Sequence, residues 1–535
     1  MTAKKLLLVC LLLFGLALLP AAGCGGPRNS AEREGRQANE LVLAIGGEPE
    51  AGFDPTTGWG EYGSPLFQST LFRRDHSLAI AADLATGYEV STDGLTWTVG
   101  LRSDVKFSDG KLLTAEDVVY TFSAAAESGA VIDLNNMASV EAIDTQTVKF
   151  SLKQPQSTFI NLLARIGIVP KHAHGPEYAA NPVGSGPYKF VQWDKGQQLI
   201  VEANPLYHGQ KPYFEKITFL FMSDDAALAA AKAGKVDMVA IPEAFARQTI
   251  PGFRLLELDS VDNRGIMFPF IAAGSQSKDG YPVGNDVTAD IAIRRAINVA
   301  IDRQALVDGV LDGFGSPAYS SSDGLPWWNP ETVIKDADLE LAKQILSAAG
   351  WEDTDADGIL EKEGLQARIP LIYPAADLTR KGLAMAVADQ LRPLGIQLEV
   401  SGKSWEAIET LMHSNAVLFG WGSHDPLEMF NLYSSETRGT GWFNTGFYSN
   451  AAVDEYFAKA LAATNEAEAN RYWQKAQWDG QTGFSAKGDA AWAWLVNLDH
   501  LYFIRENLDL GSQQIQPHGH GWPVTANITE WRWKE

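Results

Sequence analysis

Two histidines separated by one residue form the most distinctive chemical pattern in the chain. His518 and His520 lie within Pro517-His-Gly-His-Gly-Trp-Pro523. Imidazole nitrogens are common ligands of transition metals, and the neighbouring glycines would let such a loop bend around an ion. The pair therefore predicts a metal site at His518 and His520 for a borderline ion such as Ni²⁺. A packing loop without metal is the alternative interpretation.

A second group of polar side chains follows an apolar run that ends at Gly420. Trp421, His424 and Asp425 stand in Trp421-Gly-Ser-His-Asp-Pro426. Open α/β sheets bind ligands just beyond the carboxyl ends of their strands. We therefore expect these three side chains to line a ligand site. Asp425 has a simpler alternative role, since an aspartate before proline commonly caps a turn.

Arg165 is a charged residue within an otherwise apolar segment. It stands in Leu162-Leu-Ala-Arg-Ile-Gly-Ile-Val169. Arginines are rarely buried without a partner, and the guanidinium fork fits carboxylates well. A ligand carboxylate and an internal salt bridge are both suitable partners. Tyr62, in the glycine-rich stretch 58–63, is a further candidate for lining the site.

An acidic segment resembles the calcium-binding loop of an EF-hand. Asp353, Asp355 and Asp357 precede Gly358 at the spacing of the first four key positions. The twelfth position is Gly364, so the bidentate glutamate of that loop is missing. The pattern predicts a structural turn, with weak Ca²⁺ binding as the alternative.

Composition excludes several classes of protein. The chain has 535 residues, 45% of them hydrophobic, and a net charge of −23. This apolar content is too high for intrinsic disorder, and the acidic balance argues against a partner made of nucleic acid. The sequence contains no Gly-x-Ser-x-Gly, His-Glu-x-x-His or Walker motif. Their absence argues against the common classes of hydrolase without excluding rarer ones, and we expect a protein that is not an enzyme and that requires no cofactor.

The amino terminus has the pattern of a secretory signal. Two lysines precede an apolar run over residues 6–19, and small residues then lead to Cys24. A small-residue cleavage site ending in cysteine predicts lipidation of Cys24. Ala21 stands where leucine is usual, which leaves ordinary Ala-x-Ala cleavage as the alternative. We predict a signal peptide over 1–23 and a lipidated flexible tether over 24–39. The lipid would then be the only attachment to the membrane.

Strand and helix patterns alternate after residue 40, as in an α/β protein. Strands are predicted over 41–45, 96–101, 147–152 and, as a hairpin, over 187–193 and 198–203. Thr114 is a predicted N-cap, and one helix is predicted over 291–311. A helix, a glycine and a strand follow one another in each half of the chain, ending at residues 240 and 400. The repetition predicts two α/β lobes.

Several segments resemble one family, the extracellular solute-binding proteins of bacterial peptide and nickel ABC importers, family 5. The similar segments lie at 81–122, 169–172, 182–190, 204–207, 294–303, 348–351 and 448–454. The resemblance implies a bilobal clam of the type II periplasmic-binding-protein class that captures its ligand between the lobes. It also implies an extra subdomain in the first lobe. The implied parts are 40–65, 182–272 and 490–535 for lobe I, 66–181 for the inserted subdomain and 273–489 for lobe II.

The resemblance also implies a function and roles for single residues. The implied function is that of an extracytoplasmic, monomeric lipoprotein that delivers a small solute to the permease of an ABC importer. Peptide-binding relatives carry an aspartate for the peptide amine where Ser423 and His424 stand here, and nickel-chelate relatives place a carboxylate-binding arginine near Arg165. These features favour nickel or a metal chelate over a di- or oligopeptide. A secreted metal-dependent hydrolase using His518 and His520 is the remote alternative.

Overall fold

Three β-sheets organise the chain. The computed structural model describes residues 39–61, 63–129, 132–519 and 521–534, and Asn39–Glu535 form one compact unit. The predicted signal peptide, Cys24 and nearly all of the tether lie outside the described residues. So do Tyr62 and His520.

The first sheet has seven strands and mixed directions. Glu40–Ala44 is central and pairs in parallel with a strand on each side, and the remaining pairs are antiparallel. Leu41 and Leu43 are buried on one face of this strand and Ala44 on the other, as expected for a strand covered on both faces. The strand order is Phe253–Leu258, His500–Arg505, Met238–Ile241, Glu40–Ala44, Lys216–Leu220, Gln198–Ala203 and Tyr188–Asp194.

The second sheet has six strands and forms the centre of the other lobe. Arg368–Pro374 pairs in parallel with its two neighbours, whereas Asn263–Met267 pairs antiparallel with both of its own. The order is Gly315–Pro317, Trp492–Leu498, Asn263–Met267, Ala416–Phe419, Arg368–Pro374 and Gln397–Lys403.

The third sheet is antiparallel and has its own hydrophobic core. Its order is Ala85–Val90, Thr96–Leu101, Thr147–Leu152 and Met137–Asp144. We call the described part of residues 71–168 the third-sheet subdomain; it contains this sheet, the helices Ala115–Ser128 and Phe159–Arg165, and the strand pair Phe72–Arg74 with Ile80–Ala82. Four strand pairs are short: Phe72–Arg74 with Ile80–Ala82, Ser275–Gln276 with Pro282–Val283, Glu361–Lys362 with Leu365–Gln366, and Leu508–Asp509 with Arg532–Trp533.

Helices cover the sheets, and one predicted helix is wrong. Instead of a single helix over 291–311, the chain ends one helix at Ala300 and begins another at Arg303, because Asp302 caps the second helix by accepting from the Ala305 N–H. The other α-helices are Asp224–Lys232, Glu243–Ala246, Asp286–Ala289, Leu339–Ala348, Leu378–Leu391, Trp405–Leu411, Leu427–Tyr433, Ala451–Ala462 and Glu466–Gln477. Short 3₁₀ helices are Pro55–Thr57, Tyr178–Ala180, Pro330–Thr332, Arg392–Leu394, Ser435–Thr437 and Pro523–Glu530.

The chain crosses between the first and second sheets twice. One crossing lies between Leu258 and Asn263, and the other lies between Leu498 and His500. These positions differ from the lobe limits at 272 and 490 expected from sequence, because both Asn263–Met267 and Trp492–Leu498 pair within the second sheet. We propose lobe limits at the crossings instead. None of the described helices is both long enough and apolar enough to cross a bilayer.

Candidate functional site

A chain of three adjoining cavities lies where the two lobes and the third-sheet subdomain meet. We call them the arginine cavity, of about 510 Å³, the acidic cavity, of about 550 Å³, and the small cavity, of about 160 Å³. Asp262 and Gly519 line both the arginine and the acidic cavity. Glu61 and Ser64 line both the acidic and the small cavity. The three cavities therefore form one cleft.

The arginine cavity takes its position from the second sheet. Arg264 belongs to the strand Asn263–Met267, and the neighbouring strand ends at Phe419, so that Gly420 and Trp421 lie beside it. The backbone N–H of Trp421 donates to the Asn263 side chain at 3.0 Å. The Asn263 N–H in turn donates to the Trp421 carbonyl at 3.0 Å. These bonds fix the strand end that was predicted to hold ligand.

Two arginines converge on one wall of this cavity. Arg264 pairs with Asp262 at 2.5 Å, and Arg380 pairs with Asp377. A β-carbon added at Gly420 would lie 2.6 Å from an Arg264 nitrogen and 2.7 Å from an Arg380 nitrogen. Burial, and next the Arg264 charge, lower the pKa of Arg380. Two neighbouring cations favour an anion between them, and a carboxylate fits the guanidinium geometry.

Hydrogen-bond donors without protein acceptors mark the same wall. Among the described residues, the Nε groups of Arg264 and Arg380 and the indole N–H of Trp421 have no hydrogen-bond partner. Buried donors are normally paired, so an unpaired group is a candidate for binding a ligand or water. All three groups are donors, which again favours a ligand rich in acceptors.

Aromatic rings also line the arginine cavity. Trp405 is 45% exposed and meets Trp442 edge to face, with the ring centroids 5.5 Å apart. Trp442 in turn meets Phe419 edge to face at 6.2 Å. All three line the cavity. Rings that remain exposed in a cleft provide apolar area for a ligand to cover.

The acidic cavity has the opposite electrostatic character. Among the described residues, its lining contains five carboxylates and no lysine or arginine: Glu48, Glu61, Glu243, Asp262 and Asp499. Burial, together with the nearby charges of Asp259 and Glu257, raises the pKa of Asp499 to about 6. The cleft as a whole is thus polarised, with arginines in one cavity and carboxylates in the next.

The small cavity brings three of the predicted residues together. Arg165 lies 3.8 Å from Glu61 and 3.9 Å from Asp425, and Asp425 accepts from the Asn161 amide at 2.8 Å. His424 lies beside them. Burial, and next the Arg74 charge, lower the pKa of His424 to about 3, so its imidazole is neutral. Among the described residues, its Nε2 atom has no hydrogen-bond partner.

A buried carboxylate links the arginine wall to the predicted metal-binding loop. His518 Nδ1 lies 2.5 Å from Asp262, and His500 Nε2 lies 3.6 Å from it. Burial would raise the pKa of Asp262, but the Arg264 charge and the contacts with His518 and His500 outweigh burial and hold this pKa well below its usual value. His518 therefore faces a carboxylate in the cleft.

The predicted residues thus divide between two cavities. Arg165, His424 and Asp425 line the small cavity, whereas Trp421 and His518 line the arginine cavity. Their roles in ligand binding stay predictions.

Two arginines and two tryptophans of the arginine cavity were not among the predicted residues: Arg264, Arg380, Trp405 and Trp442. Asp262 and Arg264 stand two residues apart, a spacing that places both side chains on one face of a strand and so indicates an ion pair there. No local pattern indicates that Arg380 lies beside it.

The acidic loop resembling an EF-hand is exposed. Asp353, Asp355, Asp357 and Glu361 hold ligand atoms within 4.8 Å of one another. All three aspartates are used in the turn, since Asp355, Asp353 and Asp357 accept from the backbone N–H groups of Asp357, Gly358 and Ile359, respectively. The predicted structural turn is present, and calcium binding stays a prediction.

Comparison with known proteins identifies the fold and the family. Residues 79–442 match the model of the bacterial extracellular solute-binding proteins, family 5. Protein XP55 of Streptomyces lividans is 33% identical, with 93% of this chain and 90% of that protein covered.

Two solved structures share the bilobal architecture. The first is NikZ from Campylobacter jejuni in complex with Ni(L-His), at 26% identity and a TM-score of 0.75 over 93% of this chain and 100% of NikZ. The second is AppA from Bacillus subtilis in complex with a nonapeptide, at 26% identity and a TM-score of 0.67 over 93% of this chain and 99% of AppA. The chain therefore belongs to the family 5 bacterial extracellular solute-binding proteins, the non-enzymatic receptors that deliver solutes to ABC importers outside the cytoplasm.

Proposed function

We propose that this receptor binds a short peptide with a free carboxyl terminus. The observation that carries the proposal is the pair Arg264 and Arg380, which share one wall of the arginine cavity beside Gly420. Each arginine already pairs with an aspartate, yet each keeps its Nε–H group without an acceptor in the described part of the chain. The peptide carboxylate occupies this wall, and the aromatic rings cover the adjacent side chain.

The polarity of the cleft supports a ligand with charges of both signs. A peptide that reaches from the arginine cavity into the acidic cavity places its amine among carboxylates such as Glu61 and Asp499. The two cavities, of about 510 and 550 Å³, match the volume that protein sites offer to ligands larger than an amino acid. AppA, a relative of similar fold, is solved in complex with a nonapeptide.

A metal chelate is the second candidate, and a different cavity favours it. Arg165 contacts its acidic neighbours at 3.8 and 3.9 Å, and the neutral His424 beside it keeps Nε2 without a partner among the residues that the structure describes. A chelator carboxylate at Arg165 and a metal at His424 would use both groups. NikZ, a relative of similar fold, binds Ni(L-His). The cargo would then be Ni²⁺ with its chelator.

Calorimetry with the metal-free, tag-free protein separates the two candidates. The probes are trialanine, trileucine, pentaalanine, Ni²⁺ alone and Ni²⁺ with L-histidine. We expect micromolar or tighter binding of at least one peptide and no comparable heat with either nickel probe. Binding of nickel with L-histidine, and of no peptide, would replace the first proposal with the second.

We also propose that the receptor is a monomer held at the membrane by lipid on Cys24. The support is the signal-like pattern that ends in this cysteine. Labelling of cells with a radioactive fatty acid should mark the wild type and leave Cys24→Ala unmarked. Equal labelling of the two proteins would remove the lipid anchor from the account.

A further inference from the structure

The third-sheet subdomain is joined to the second lobe by hydrogen bonds remote in sequence from the two crossings between the sheets. The backbone N–H of Ser157 donates to the Leu461 carbonyl at 2.8 Å, and its hydroxyl donates to the Ala460 carbonyl at 2.8 Å. One turn further on, the Asn161 amide donates to Asp425 at 2.8 Å. Three hydrogen bonds therefore connect the start of one short helix to two separate parts of the second lobe.

The bond between Asn161 and Asp425 is buried. Asn161 is 4% exposed and Asp425 is 6% exposed. Burial raises the pKa of Asp425 despite its favourable contacts with Arg165 and the Leu427 N–H. Loss of the Asn161 amide would leave a buried carboxylate with fewer donors, which is costlier than the loss of an exposed hydrogen bond.

Packing around these bonds joins the same two parts of the molecule. Leu78 is 3% exposed and belongs to the hydrophobic cluster of the second lobe that includes Trp327. The Arg74 guanidinium lies 5.5 Å from the Trp327 ring and also donates to Asn161. The connection therefore combines apolar packing with hydrogen bonds.

The position of this connection relates it to the cleft. Asn161 and Asp425 both line the small cavity, so the bond between them forms part of its wall. The lobes can separate at the crossings only if this wall opens. We propose that Ser157 and Asn161 form a latch that fastens the third-sheet subdomain to the second lobe and must release before a solute enters or leaves. The inference rests on the receptor role of the family and not on which solute is bound.

The full-length protein without ligand provides the first test. We expect the variant Ser157→Ala/Asn161→Ala to have a larger radius of gyration by small-angle X-ray scattering. We also expect amide hydrogen exchange over 157–161 to be about tenfold faster, as for loss of about 1.4 kcal/mol of hydrogen bonding. The matched control is Asn136→Ala, because Asn136 bonds to Gln154 and Gln156 within the subdomain. The control should match the wild type.

Two further measurements keep the test decisive. Ser157→Ala alone removes one hydroxyl, so it covers the case in which the double variant fails to fold, and it should show the same changes to a smaller degree. For any peptide or nickel probe that binds, the double variant should release it about tenfold faster in stopped-flow fluorescence. Folded latch variants with unchanged scattering and exchange would overturn the latch. Failure of every probe to bind would count against the proposed ligands alone.

Discussion

Glu428 illustrates how burial sets the charge of a single side chain beneath the cleft. It accepts a hydrogen bond from the Gly422 N–H at 3.0 Å, under the loop that carries Trp421 and His424. Burial raises the pKa of Glu428 to about 8, so this carboxyl is protonated at neutral pH. The loop is therefore supported by a neutral group, and ionisation of that group would leave a charge in a buried position without solvation.

The raised pKa of Glu428 predicts a pH-dependent stability. The unfolded chain releases this proton near the ordinary value of 4.5, whereas the folded chain keeps it to about 8. The contribution is therefore fully present below pH 4.5 and is lost as pH rises through 8. Between about pH 5.5 and 7.5, the wild type should lose at least about 1.4 kcal/mol more unfolding free energy than Glu428→Gln. Urea titrations at both pH values measure this difference.

A matched control uses an exposed glutamate of the same region. Glu436→Gln, in the 3₁₀ helix Ser435–Thr437, should follow the wild type at both pH values. Asp323 and Asp499 also have raised pKa values, near 6, but they are present in all three proteins and cancel in the comparison. Parallel pH dependence of the wild type and Glu428→Gln would show that Glu428 is ionised in the folded protein.

At the scale of elements, the end of the strand Ala416–Phe419 depends on a close approach at Gly420. A methyl group there would meet both cleft guanidinium groups at 2.6 and 2.7 Å and the Asn263 carbonyl at 2.8 Å. Gly420→Ala should therefore displace the arginines, weaken binding of the tightest tripeptide about tenfold and cost about 1–3 kcal/mol of stability. Calorimetry and urea unfolding measure the two effects.

Gly87→Ala is the control for this substitution. Gly87 also lies in a strand, and an added β-carbon there meets nothing within 4 Å. Its peptide affinity should equal that of the wild type. If Gly420→Ala also kept full affinity, the two arginines would not form the carboxylate site.

Local patterns predicted many elements correctly because their causes are local. The strands Thr96–Leu101 and Thr147–Leu152 have the predicted limits, and Thr114 is the N-cap of its helix. Gly234 and Gly395 adopt the left-handed conformation expected at helix ends. The break after Ala300 was missed because apolar periodicity continues through it and only Asp302, as a cap, marks it.

The composition of the site depends on contacts between distant parts of the chain. Arg264 lies on a strand and Arg380 on a helix, and only the order of strands in the second sheet brings them together. Likewise, Asp425 was expected at the ligand, but its partner Asn161 comes from the third-sheet subdomain. A single sequence contains no pattern that specifies such pairs.

At the scale of the whole molecule, fold and function have different determinants. The bilobal architecture is shared with NikZ and AppA, which are solved with Ni(L-His) and a nonapeptide, respectively. Membership of the family establishes a receptor, whereas the side chains of the cleft decide the solute. The net charge of −23 repels anions at long range, so recognition of a carboxylate depends on the local arginine pair.

The most direct test compares one tripeptide as free acid and as C-terminal amide. Calorimetry with the tightest tripeptide of the panel should show that the wild type prefers the acid at least about tenfold, the value of one charged hydrogen bond. Arg380→Gln should lose this preference. The control Arg392→Gln, which alters a 79% exposed side chain just beyond the same helix, should keep it. Equal affinity of the wild type for acid and amide would contradict the account.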